Sequence, residues 1–407
     1  MNIKGVIYMV TGDSSYIKKI NRSLILRKIL KNDFISRADL SKITGLNKAT
    51  VSVQVADLLQ EELICETQIE HHTIGRRPIM LSINEDAGYV LGIDLDYKSI
   101  TYTISNLKGK PIHESEEQFE TGEYSTIIEM MISRIKQYQQ RFSDRPYGVV
   151  NAVIGVHGTV NKKDGSIRFN PRYKWVQKSI KDDLQKELSI PVFIENNANL
   201  SAYAEKVYQH HHSNNLLTII LTSGIGSGMI IDGDLHKGFH GYAGEMGHMI
   251  VFPNGDPCRC GNHGCWELYA SEPKLLKRLE TELQLTNLTI SDIQNFIETD
   301  HIIVKSFMDR YLQYVSIGLN NIINLYNPET IVMNSQLLKI YPDSIEKLKG
   351  HLISSVSEYG EIVLSDLGNR SCVLGACALG VQQFLEVQNL LLPLPETLIE
   401  KPKSLLK

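Results

Sequence analysis

The chain is sparing with cysteine and aromatic residues and has no long apolar run. Six cysteines and two tryptophans stand among 407 residues, and aromatics make up 7%. Cys65, Cys372 and Cys377 are scattered. They form no disulfide framework of the secreted kind and read as buried free thiols. No stretch approaches the roughly 20 apolar residues that span a bilayer. The opening MNIKGVIYMV has a short apolar run, but no small-residue cleavage site follows it, so no secretory signal is expected. The expectation is a cytoplasmic protein without membrane contact. Charge of one sign is not in excess either. A net charge of −4, with 42% hydrophobic and 22% charged residues, is an ordinary globular composition, and the length allows two or three domains.

The small net charge hides an asymmetry. Residues 1–80 hold 12 Lys+Arg and 8 Asp+Glu, a net of +4, which leaves 30 and 38, a net of −8, for the rest. A basic head on an acidic body points to an anion-binding head.

Three amphipathic segments fill residues 21–64. Leu24, Ile25, Ile29 and Leu30 fall at helical spacing. Ser36 opens a second helix, with Asp39 three positions on as its capping partner, and Leu40 and Ile43 as its inward face. Gly45 supplies the turn. Asn47 starts a third helix with Val51, Val55, Leu58 and Leu59 facing in. Its outward face offers Asn47, Lys48, Thr50, Ser52 and Gln54, short polar or basic groups suited to base edges and phosphates in a major groove. Residues 63–83 read as two strands around a polar tip, where Gly75, Arg76 and Arg77 fit a wing that grips phosphate or a minor groove. The reading is a winged helix-turn-helix over residues 1–85. A small helical bundle that binds protein is the rival. One such unit reads only a few base pairs, so a homodimer on a two-fold operator DNA site is expected.

Strands and helices then alternate, which indicates an α/β body over residues 86–390. Residues 88–109 read as a hairpin, 125–142 as a helix and 148–160 as a strand ending in a glycine turn. Residues 191–205 read as strand, polar loop and helix, and 215–235 as two strands around Gly224, Gly226 and Gly228. That glycine run suits either an anion-binding turn or a tight hairpin. The tail, residues 391–407 and the stretch from about 386, is expected to be loosely ordered.

The most concentrated chemistry is GEMGHMIVFPNGDPCRCGNHGCWE, residues 244–267. His248, Cys258, Cys260 and Cys265 supply one nitrogen and three thiolates, a set that satisfies tetrahedral zinc. Pro253, Gly255, Pro257, Gly261 and Gly264 suit the bends. Four protein ligands leave no open position for a reactive water, so the zinc is expected to be structural. His263 is the rival ligand and reads as an exposed loop residue. Trp175 and Trp266 suit a sugar face or the core equally well.

The order IENNAN, LTSGIGSG, GEMGHM…CRCGNHGCWE resembles the ROK family of repressors, open reading frames and kinases, over essentially the whole chain. The added head marks its repressor branch, and GRRP with GCWELYASE is most similar to the xylose repressors of Gram-positive bacteria. The resemblance implies a two-lobed α/β actin-like body of the sugar-kinase, ribonuclease H-like kind. It implies that His248 binds zinc through one ring nitrogen and faces sugar with the other. It implies sugar contacts from Glu245, Glu267, Asn170, Asn196 and the Gly158 backbone, and places Asn197 in the same loop. Carboxylates and amides suit vicinal hydroxyls.

Two departures from the family's kinases bear on activity. Their loop has an aspartate as general base where this chain has Asn197, and an amide cannot take that proton. Their first phosphate turn has a glycine where Asp94-Leu95-Asp96 places Asp96, whose carboxylate would repel ATP phosphates. No catalytic residue is therefore expected. The expected function is repression of a xylose-utilisation operon, relieved by D-xylose, with glucose as the candidate competitor. The alternatives are a glucose or N-acetyl-sugar kinase with a regulatory head, and a protein-binding adaptor with a zinc clip.

Overall fold

The computed structural model describes residues 14–68, 79–170, 173 and 175–395. The head contains helices α1 (Ser14–Asn32), α2 (Arg37–Thr44) and α3 (Lys48–Gln60). Strands Ile64–Gln68 and Ile79–Ile83 pair antiparallel beside them, and the two-residue strand Ile35–Ser36 flanks the second. Ser36 caps α2 by accepting the Asp39 N–H, and Asn47 caps α3 by accepting the Thr50 N–H. Gly45 sits at φ 71° between them. Residues 69–78, with Gly75, Arg76 and Arg77, lie outside the described residues.

Three expectations for the head change. Leu26 rather than Leu24 joins Ile25 and Ile29 in the core. Ile43 is 45% exposed, because α2 is short and only Leu40 reaches the other helices. Gln54 is buried, so it is not on the outward face of α3 on which it was expected. It falls on the stripe of Val51, Val55 and Leu58 at helical spacing, and position on the helix outweighs side-chain polarity there. Lys48 and Ser52 are exposed and Thr50 half-buried.

The body consists of two lobes with the same strand plan. In the first, β1 (Gly88–Leu95), β2 (Ser99–Asn106) and β3 (Pro111–Gln118) run antiparallel; β4 (Gly148–Val156) and β5 (Val192–Asn196) lie parallel to β1. Their order is β5-β4-β1-β2-β3. In the second, β6 (Leu216–Ile220), β7 (Gly226–Ile231) and β8 (Asp234–Leu235) are antiparallel, while β9 (Thr330–Asn334) and β10 (Glu361–Leu364) extend the sheet parallel to β6, in the order β10-β9-β6-β7-β8. β6 and β9 are buried along their whole length, as expected for strands covered on both faces. β3 alternates half-buried and exposed residues, with three glutamates on the sheet edge.

Helix α4 (Tyr124–Arg141) covers the first sheet from outside, and α6 (Ile302–Tyr326) belongs to the core of the second lobe. Helices α5 (Asn197–Tyr208) and α7 (Ser371–Leu385) are exchanged between lobes. α5 follows the first sheet yet packs on β6 and β7, and α7 follows the second sheet yet packs on β1 and β4. They touch backbone to backbone: a Cβ at Gly375 would stand 1.9 Å from the Leu200 carbonyl oxygen.

Head and body share one apolar core. Ile25, Leu58 and Leu81 of the head cluster with Val207 and Tyr208 of α5, Leu374 and Val381 of α7, and Val387, Leu390 and Leu392. The last three correct the expectation of a loose tail from residue 386. Their side chains are buried, and the Leu392 N–H bonds to the Val207 carbonyl. Apolar burial fixes this segment where capping signals were lacking. Among the described residues, no helix is long and apolar enough to cross a membrane.

Candidate functional site

A cleft of about 100 Å³ opens between the lobes. Its first-lobe wall lies at the carboxyl ends of β4 and β5, the position where parallel sheets bind ligands. There His157 and Gly158 follow β4, and Asn196 ends β5. β5 runs directly into α5 with no polar loop between, because Asn196 is both the last strand residue and the helix cap. Its Oδ1 accepts the Ala198 and Asn199 N–H groups, and its Nδ2 donates to the Gly158 carbonyl at 2.9 Å. Beneath it the buried Glu195 accepts from the Asn196 N–H and Asn199 Nδ2 and pairs with Lys237 of the second lobe.

Asn170 does not face the cleft. It is fully buried, donates to the His157 carbonyl at 2.9 Å and accepts the Tyr173 N–H. It therefore holds the strand end from behind. Asn197 does line the cleft, and its Nδ2 stands 3.2 Å from His157 Nδ1. His157 Nε2 in turn stands 3.0 Å from Asp96 Oδ1. Next to this pair, burial pushes the Asp94 carboxyl up to about 6, with His157 opposing the shift.

The second-lobe wall is the turn Gly244–His248 with the loop Cys258–Glu267. His248, Cys258, Cys260 and Cys265 bring their ligand atoms within 4.8 Å of one another. Sγ of Cys260 and Sγ of Cys265 are 3.6 Å apart, as are Cys258 Sγ and His248 Nδ1. A tetrahedral ion with arms of about 2.3 Å has ligand edges of about 3.8 Å, so the cluster can hold a metal ion. Burial pushes the Cys265 thiol up to about 12, and its contacts with Cys260 and Cys258 add to the rise. A cation would reverse that by stabilising thiolate. Gly264 makes the closing bend at φ 73°, where a Cβ would lie 1.7 Å from the Phe252 carbonyl oxygen. His263 is exposed and outside the cluster.

His248 presents its two nitrogens to different partners. Nδ1 faces Cys258, and Nε2 lies 3.8 Å from the Glu245 carboxylate on the cleft side. Glu267 is buried, 3.8 Å from His248 Nδ1, and Arg259 Nε is 3.7 Å from it. Glu245, His248, Glu267 and Arg259 all line the cleft. Both tryptophans belong to the core. Trp266 Nε1 donates to the Tyr314 carbonyl and Trp175 Nε1 to that of Gly122. Gly226 and Gly228 lie in β7 against Ala198 of α5, so the glycine run serves helix packing as well as the turn.

His157 and Arg259 are ionisable cleft residues that the sequence motifs do not single out. For His157 the one available signal was a titratable residue directly after an apolar strand, where parallel strands deliver functional groups.

The sequence profile of the ROK family matches residues 90–383. This chain belongs to the ROK family. It is 36% identical to the xylose repressor of Bacillus subtilis over 384 residues, which cover 93% of this chain and 99% of that one. The crystal structure of a ROK family transcriptional regulator, a homolog of the E. coli Mlc protein, superposes with a TM-score of 0.78 at 26% identity, over 91% of this chain and 96% of that one. The ROK glucokinase of Streptomyces griseus, in complex with glucose and AMPPNP, covers 72% of this chain and 100% of its own, with a TM-score of 0.64 at 21% identity. It shares the fold. The two-lobed actin-like body is thus the ROK sugar-kinase fold.

Proposed function

We propose that this ROK protein is a sugar-responsive transcriptional repressor of a xylose-utilisation operon. Its head, a winged helix-turn-helix over residues 1–85, binds a palindromic operator as a homodimer, and D-xylose binding to the body, residues 86–390, releases it. The observation that carries the reading is the reach of the similarity to the B. subtilis xylose repressor: it takes in 93% of this chain, head and body together. Phosphoryl transfer is not part of the proposal, since an amide occupies the position of the kinase base.

Zinc is the ion we assign to the cysteine–histidine cluster. Bound there, it would be closed by four protein ligands and would supply rigidity, not a reactive water. His248 would then be fixed with Nε2 toward the sugar, and Glu245 and Glu267 would accept hydrogen bonds from adjacent hydroxyls. On the opposite wall, Asn197 and the Gly158 backbone complete the site, with the one remaining Nδ2 hydrogen of Asn196. Lys48, Thr50, Ser52 and Asn47 at the start of α3, with Arg76 and Arg77, are assigned to DNA.

Helix α5 links the two ends. It begins at Asn197 in the cleft and ends at Tyr208 in the core shared with the head. Lobe closure on the sugar would therefore shift the seat of the head. A differential affinity of about 3 kcal/mol between open and closed states shifts the ratio of those states by about a hundredfold. The test is a gel shift of the full chain on a duplex recovered by in vitro selection, with and without D-xylose. Release by D-xylose is expected. Release by glucose but not xylose would refute the sugar assignment, and sugar phosphate formed with ATP would favour the kinase reading.

A further inference from the structure

Behind the cleft lies a second space of about 70 Å³, and His157, Asn197, Ile220 and Ser223 line both. His157 and Asn197 thus stand in the partition. Three carboxyl ends of parallel strands meet at this point: Asp96 follows β1, His157 follows β4 and Asn197 follows β5.

Hydrogen-bonding chemistry assigns the hydrogens at these contacts. A carboxylate only accepts, so the 3.0 Å contact with Asp96 places the proton on His157 Nε2. With that hydrogen on Nε2, Nδ1 is the nitrogen that can accept, and the Asn197 amide nitrogen stands 3.2 Å from it. An asparagine amide can present either end, since its oxygen and nitrogen are alike in size. Here the nitrogen is engaged, and the carbonyl oxygen is directed the other way. The backbone under His157 is held as well, by Asn170 on its carbonyl and Asn196 on that of Gly158, both at 2.9 Å.

We propose that His157 is a positioning residue of the sugar pocket: held by Asp96, it locks Asn197 with its carbonyl oxygen toward the ligand, so that this wall accepts a hydrogen bond from one sugar hydroxyl. The inference rests on the reading of the cleft as a sugar site. It makes Asn197 an acceptor of fixed orientation that cannot take a proton.

The test is calorimetry of the full, zinc-loaded chain with D-xylose, for the wild type and for His157→Ala, His157→Asn and Asp96→Asn. His157→Ala frees the amide and weakens binding about tenfold, the scale of one hydrogen bond. His157→Asn places an oxygen near the lost Nδ1 and recovers most of that affinity. In Asp96→Asn the charge that holds the proton on Nε2 is gone and the new amide can donate there; movement of the ring proton to Nδ1, which turns the Asn197 amide round, and a loss of affinity matching that of His157→Ala appear together. In ¹⁵N spectra, His157 Nδ1 changes from the bare to the protonated kind in Asp96→Asn. Wild-type affinity in His157→Ala, or equal weakness in His157→Asn and His157→Ala, overturns the proposal. If His157→Ala fails to fold, Asp96→Asn, altered at an exposed turn residue, decides by the same affinity and the same ¹⁵N signal. Absence of D-xylose binding by the wild type would instead overturn the sugar reading, and this inference with it.

Discussion

The second-lobe wall of the cleft gathers four side chains that could hold an ion between them, whereas the first-lobe wall is held by amides and carbonyls that satisfy one another. On the second-lobe side, Cys258, Cys260, Cys265 and His248 converge within a short loop of glycine and proline bends. On the other, Asn170, Asn196 and Asn197 clamp the ends of two strands. The difference teaches that one wall should depend on metal and the other on local hydrogen bonding, and that each can be broken alone.

The largest effect is expected from Cys265→Ser. It removes a buried thiol of the cluster, and metal content measured by mass spectrometry should fall to near zero. Thermal unfolding should move down by several degrees, since a structural ion contributes folding free energy directly. His248→Ala should likewise lose metal, together with the D-xylose response in the gel shift. Glu267→Ala should keep the metal and lose only the response. Loss of metal in Glu267→Ala would break the division of labour within the second-lobe wall.

On the other wall, Asn196→Ala should leave metal content unchanged and cost about 1–2 kcal/mol in denaturant unfolding, the value of a helix cap. Metal loss in this variant would show that the walls are not independent.

The joint behind the walls should respond to pH. Burial raises the Glu205 carboxyl on α5 to about 7, with the Ser365 hydrogen bond opposing. A raised carboxyl binds its proton more tightly in the folded chain. Its stabilising contribution is therefore full below about pH 4 and is lost as pH rises through about 7. Glu205→Gln should flatten the fall in stability over that window. An unchanged slope from pH 5 to 7 would contradict the assignment. The smallest effect is expected in the head: Lys48→Ala should weaken binding to all duplexes alike and lower the salt slope by about one.

Much of the second-lobe wall was legible in the sequence, because its three cysteines lie within eight positions of one another and glycine marks the bends. The head was legible for the same local reasons: Ser36, Gly45 and Asn47 each act on residues within a few positions. The first-lobe wall was less so. His157, Asn197 and Asp96 come from three separate strands, and only the sheet brings them together. Asn170 was placed among the sugar contacts by the family resemblance, yet it is buried and its Nδ2 bonds to the His157 carbonyl. Gln54 was assigned to DNA for its polarity although its spacing from Val51 and Leu58 already marked the inward face. The start of the tail, Val387 to Leu392, was misread because its apolar residues have no periodicity and their partners lie on α5 and α7; residues 396–407 lie outside the described residues.

Calorimetry of the purified, zinc-loaded chain with D-xylose, D-glucose and N-acetylglucosamine tests the central claim most directly, that the cleft between the two walls is a sugar sensor. The account predicts saturable D-xylose binding at one site per chain, abolished in Glu267→Ala and unaccompanied by sugar phosphate when ATP is added. No heat with D-xylose, or D-xylose binding undiminished in Glu267→Ala, would contradict it.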